Sequence, residues 1–201
     1  VWMVITLLAA CDRLTKPTSS GRPYEVLVVV DDQLWQRPAG RALFDVLDTD
    51  VPGLPQPERS FRISQTTQKR FSQVLNIFRT IIKVDIDPTQ YTQTKMKFTR
   101  DVYARPQVVL TIQSPNEKDF AAFVKKNSRS IIDFLVKVEM NRQINELEEK
   151  HSEAVSQLAE EIFKCQLWAP AEIKSYKKGK DFFWASSNTA SGLVNICMYS
   201  Y

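Results

Sequence analysis

The chain has 201 residues, 43% of them hydrophobic, enough for one substantial core once short terminal segments are set aside. Its 27 basic and 23 acidic side chains leave a net charge of +4, but they are interspersed, which argues against nucleic acid as a partner. Five glycines leave little material for a phosphate-cradling loop, and there is no Gly-x-Ser-x-Gly elbow and no His-Glu-x-x-His pair, so covalent hydrolase chemistry and nucleotide binding are both disfavoured and no cofactor is expected.

Residues 1–10 are apolar apart from Thr6, a length that suits the core of an export signal better than a bilayer-spanning helix of about 20 residues. Leu8-Ala9-Ala10-Cys11 closes the run as small residues before a cysteine, which reads as a lipoprotein cleavage site with Cys11 as the lipidated residue. Residues 1–11 are therefore expected to be a partial signal, since neither Met nor a basic segment precedes Val1, and residues 12–23 a polar tether. The competing reading is an ordinary cysteine in a buried N-terminal strand or helix.

Tyr24 to Val30 is a β-branched run that predicts a strand covered on both faces. Leu34, Leu43, Val46 and Leu47 fall at near-helical spacing, with a helix from Pro38 onward. A proline-rich loop, residues 51–57, comes next. Phe61 to Ser64 predicts a short strand, and Thr66 or Thr67 a cap for a helix through Phe78 carrying Phe71, Val74, Leu75 and Phe78 on one face. Thr80 to Ile86 predicts a strand; Lys97 to Tyr103 and Val108 to Gln113 predict an antiparallel hairpin.

From Asn116 to about Trp168 the pattern is helical, interrupted at Asn127-Ser128. The piece from about Ser128 to Leu167 predicts one long charged helix with a heptad-like seam of Met140, Ile144, Leu147, His151, Ala154, Leu158 and Ile162, ended by Pro170. Three strands are expected at Ile173 to Tyr176, Phe182 to Ala185 and Leu193 to Tyr201, with residues 177–180 as the first turn. The last run stops in mid-pattern, so the chain is expected to continue past Tyr201.

Candidate chemistry is sparse. The acidic pairs Asp31-Asp32 and Asp85-x-Asp87 end apolar strands, where carboxylates can hold a hard cation or share acid and base roles. Aspartates also end strands merely by bonding their own backbone in turns. His151 has no nameable nucleophile or orienting partner and reads as a half-buried or solvated ring. With Cys11 lipidated, Cys165 and Cys197 remain, either paired or as separate thiols. The aromatics Trp35, Phe44, Trp168, Tyr176, Phe183 and Trp184 are core residues unless several line one groove that stacks on a glycan.

Several segments carry a family likeness: residues 21–29 (GRPYEVLVV), 54–58 (LPQPE), 84–87 (VDID), 100–107 (RDVYARPQ) and 178–186 (KGKDFFWAS). Together they resemble the envelope lipoproteins of the Bacteroidetes that carry domain of unknown function 4837, over essentially the whole mature chain. That resemblance implies an anchored envelope protein and supplies no catalytic residue.

The expectation is thus a single α+β domain over residues 24–201, a mainly antiparallel sheet packed by helices including the long one. Its expected role is a non-enzymatic binding or scaffold module, held by a lipid on Cys11 at the periplasmic face of the outer membrane, with an envelope protein or glycan as partner. The alternative is a metal-dependent envelope enzyme using Asp31, Asp32, Asp85 and Asp87.

Overall fold

In the computed structural model of the chain, residues 16–201 are described, apart from Gln73, Ala190 and Ser191. The expected signal and most of the tether, Cys11 included, lie outside the described residues. In chain order the elements are β1 (Glu25–Val29), α1 (Asp32–Gln36), α2 (Pro38–Leu47), β2 (Arg62–Thr66), β3 (Thr80–Ile86), β4 (Lys95–Arg100), β5 (Val108–Ser114) and α3 (Glu117–Lys126). Then come α4 (Ser128–Glu149), α5 (Glu153–Phe163), β6 (Ser175–Lys178), β7 (Phe182–Thr189) and β8 (Gly192–Tyr199). The chain divides into two compact units between Leu135 and Val136, inside α4.

The first unit is built on a five-stranded sheet of order β2-β1-β3-β5-β4. β1 pairs in parallel with both β2 and β3, and β3 in parallel with β5; only β4 runs antiparallel, against β5. This corrects the expectation of a mainly antiparallel sheet. The β4–β5 hairpin forms as its spacing predicts, but the other strands are joined by crossovers, which return the chain to the same end of the sheet.

β1 is an interior strand, and Val26 to Val30 are all buried, as a β-branched run with a neighbour on each side demands. Leu27, Ile81 and Val109 align in register on one face, beneath Phe71, Leu75, Phe78 and Tyr103. Val28, Ile82 and Leu110 align on the other and are equally buried. α3 packs on β5, and α2 packs on α3. α1 closes on α2 at Gly40, where a Cβ would lie 2.3 Å from the Leu34 carbonyl oxygen.

The helix predicted through Phe78 does not form: among the described residues, 68–70 and 74–77 are separate turns and Phe78 is an isolated bridge. The Arg70 amide does bond Thr67 Oγ1, so a cap-like turn starts. Only isolated turns follow, with the Asn76 amide on the Ser72 carbonyl and the Phe78 amide on the Leu75 carbonyl. The end of the segment is held in a bridge: the Ile77 carbonyl accepts from the Ser20 amide, the Arg79 amide donates to the Ser20 carbonyl, and the carbonyls of Asn76 and Phe78 accept from the Gln107 carboxamide at 2.6 and 2.7 Å. Phe71, Leu75 and Phe78 still reach the core; Val74, on the same predicted face, is exposed.

In the second unit, β6, β7 and β8 form an antiparallel sheet in that order. One face, with Phe183 and Ala185, closes over Val155, Leu158 and Ala159 of α5 and over Ala169 and Ile173. The single long helix is corrected here to two. The Ser152 amide bonds the Ala169 carbonyl, its hydroxyl bonds the Ile173 carbonyl at 2.6 Å, and His151 bridges Pro170, so residues 150–152 are tied to the returning chain instead of continuing the helix. The heptad seam fails with it. Met140 and Ile144 are exposed, and the buried residues on this part of α4 are Glu139 and Arg142, ion-paired at 3.0 Å. Among the described residues no helix is long and apolar enough to cross a membrane.

Candidate functional site

The strand order places a topological switch at the carboxyl ends of β1 and β3: the chain leaves β1 toward β2 and leaves β3 toward β5 and β4. In parallel sheets such neighbouring ends open a crevice where ligands bind. The predicted aspartates stand on these strand ends, and each already has a protein partner. Asp31 is the N-cap of α1, its Oδ1 accepting from the Gln33 amide at 2.9 Å. Asp32 accepts from Gln65 Nε2 at 3.0 Å and pairs with the Arg70 guanidinium.

On β3, Asp85 accepts from the Tyr91 hydroxyl, which itself accepts from Gln113 Nε2 at 2.6 Å. That carboxylate, with some burial, raises the Tyr91 phenol above its ordinary range. Asp87 accepts from the hydroxyl and amide of Thr89 at 2.6 and 2.8 Å and from Gln90 Nε2 at 2.9 Å, and these donors hold its carboxyl below the usual carboxylate value. Among the described residues no three of His, Cys, Asp and Glu converge in a way that could hold a metal ion. Arg70, Gln65, Tyr91 and Gln113, which complete this polar rim, carried no sequence signal beyond being polar near strand ends.

The candidate aromatics do not gather in one groove. Trp35 and Phe44 meet edge to face at 5.9 Å, and Phe183 is core. Trp184 alternates with Phe183, placing it on the opposite face of β7 with Phe182. There Phe182 faces Tyr199, and Trp184 faces Cys197, across the β7–β8 pair. Phe182 is 38% and Tyr199 66% exposed, so this outer face carries uncovered aromatic surface. Trp168 is stacked on His151 at 5.9 Å, and His151 Nδ1 lies 2.9 Å from the Leu147 carbonyl. Cys165 and Cys197 are both free, Cys165 half-buried and Cys197 exposed.

These features define a two-part α+β protein, a mostly parallel sheet followed by a small antiparallel one. Residues 19–148 match a family described as Domain of unknown function (DUF8532), and as this is more than half of the chain, the chain belongs to that family. Residues 152–201 match a second family, Domain of unknown function (DUF4837). The likeness to the latter, expected over the whole mature chain, is therefore found in its C-terminal part. No curated protein and no solved structure matches the chain.

Proposed function

We propose that this protein is a lipid-anchored component of a bacterial cell envelope, of the kind found in Bacteroidetes, that binds or scaffolds a partner without catalysing a reaction. The anchor rests on Leu8-Ala9-Ala10-Cys11, with the thiol of Cys11 as the lipidated atom and the periplasmic side of the outer membrane as the expected address. The observation that carries the binding role is the outer face of β6–β7–β8, where Phe182 and Tyr199 stand opposite each other and exposed. Aromatics left open to solvent on a sheet supply contact area at little cost in side-chain entropy.

The test has two arms. Mass spectrometry of the native protein should find a diacylglyceryl mass on Cys11, and Cys11→Ser should release the chain from the membrane fraction. A photo-crosslinker at position 199 in the membrane-bound protein should yield one discrete adduct that Phe182→Ser weakens. An unlipidated chain would overturn the anchor. No adduct, together with turnover of a cell-wall substrate by the purified protein, would overturn the scaffold in favour of an enzyme.

A further inference from the structure

A second concave surface lies within the C-terminal unit. α5 is two-sided: Val155, Leu158 and Ala159 go to the core, while Ser156, Gln157, Glu160 and Glu161 face outward. At its end Lys164 takes a left-handed conformation (φ 54°), and the chain doubles back so that Gln166 and Trp168 form an opposing wall. The groove between them has a volume of about 630 Å³, within the range of small-ligand sites.

This wall is fixed on both sides of its tryptophan. Ser156 Oγ donates to the Leu167 carbonyl at 2.8 Å, and the Ser152 amide donates to the Ala169 carbonyl at 2.8 Å. The Trp168 ring is stacked on His151 and still 38% exposed. A bulky aromatic held this firmly at the surface is pre-organised for a planar apolar ligand surface.

We propose that this groove binds an uncharged glycan chain, with Trp168 stacking on the C–H face of a pyranose ring. The carboxamides of Gln157 and Gln166 and the carboxylate of Glu160 are planar groups that can each engage two neighbouring hydroxyls. Glu161 is already held by Lys178 at 2.8 and 2.9 Å, and Lys164 lies on the same lining as Glu160, so the groove carries no excess of either charge, which suits an uncharged ligand. The inference goes beyond the binding role proposed above, which rests on the outer face of β6–β7–β8, and assigns this separate groove a ligand class of its own.

The experiment is an NMR titration of the ¹⁵N-labelled full chain with the N-acetylglucosamine tetramer and with cellotetraose, following the tryptophan indole N–H signals. The Trp168 signal should shift and saturate with at least one sugar. Trp168→Ala should weaken binding tenfold or more and Gln157→Ala severalfold, while Trp184→Ala leaves it unchanged. Gln157→Ala, at an exposed position, keeps the test valid if Trp168→Ala fails to fold. No shift at millimolar concentrations of either sugar, binding indifferent to both groove substitutions, or dextran sulfate binding more tightly at the same residues would each overturn the proposal. A protein that carries lipid on Cys11 and crosslinks through position 199, yet ignores both sugars, would sink the glycan and leave the anchored scaffold standing.

Discussion

Gln107 donates to the Phe78 carbonyl at 2.7 Å from a side chain only 1% exposed, and both ends of its carboxamide are engaged: Nε2 also reaches the Asn76 carbonyl, and Oε1 accepts from the Tyr103 amide at 2.9 Å. One carboxamide thus ties the backbone at Asn76 and Phe78 to that of Tyr103. Gln107→Leu strands three backbone groups, each costing about 1–3 kcal/mol when left unsatisfied. Urea unfolding should show a loss of at least about 3 kcal/mol; a loss under about 1 kcal/mol would mean that the segment is held by Phe71, Leu75 and Phe78 alone.

Gly40 gives a second stability prediction, in which two effects compete. Replacing a helical glycine by alanine gains at most about 1 kcal/mol of propensity, and Gly40 stands in the first turn of α2. Here the new methyl would stand 2.3 Å from the Leu34 carbonyl oxygen and 2.5 Å from the Trp35 Cα, both backbone atoms that cannot swing aside. Overpacking of this kind costs about 1–3 kcal/mol, so Gly40→Ala should destabilise on balance, read as a lower melting temperature. A rise would show that α1 moves freely off α2.

Alternation along β7 fixes a contrast between neighbours. Phe183 is wholly buried against Phe163 and α5, and Phe183→Ala should cost about 3–5 kcal/mol. Phe182 lies on the outer face, and Phe182→Ala should stay within about 1 kcal/mol of the parent in the same denaturation measurement. Equal effects would mean that the register of β7 is wrong.

The strand-end carboxyls predict a pH response with a definite sign. Asp87 has its pKa lowered by Thr89 and Gln90, so its contribution is fully present above about pH 4 and is lost as the pH falls through the lower folded value. Asp87→Asn should flatten that acid limb of the melting curve. Tyr91, raised by Asp85, contributes below about pH 10 and loses its contribution as the pH climbs through the folded value, a limb that Tyr91→Phe should remove.

Metal addition separates the binding and enzymatic readings of the same aspartates. With Asp31 capping α1 and Asp32, Asp85 and Asp87 bonded by neighbours, calcium, magnesium and EDTA should leave the melting temperature unchanged. Asp31→Ala should lose about 1 kcal/mol with its cap, equally with and without metal. A metal-induced rise that vanishes in Asp31→Ala or Asp87→Ala would restore the metal-dependent enzyme.

The strands that are apolar or β-branched runs bounded by turn residues were legible: Thr80 to Ile86 matches β3, and Val108 to Gln113 matches β5 within one residue, whereas the polar β4 and β6 each start two residues from where they were expected. The direction of the strands was not legible. Parallel pairing is set by where the crossovers return the chain, and the crossover of residues 67–79 owes its path to Gln107, a loop residue some thirty positions on. The break after α4 was hidden for the same reason, since the partners of Ser152 are Ala169 and Ile173. At the candidate site, the aspartates were visible as residue types, whereas Tyr91 and Arg70 join them only through tertiary contacts.

The turn at residues 150–152 also has a genealogical meaning. It lies at the boundary between the stretches matched by the two families, the first ending at 148 and the second beginning at 152. The piece on the C-terminal side of that joint carries an apolar nucleus of its own, from Val155 to Ala185. Such a seam lets ancestral genes gain, lose or exchange the trailing piece as a module, so the two parts of this polypeptide need not share one evolutionary history.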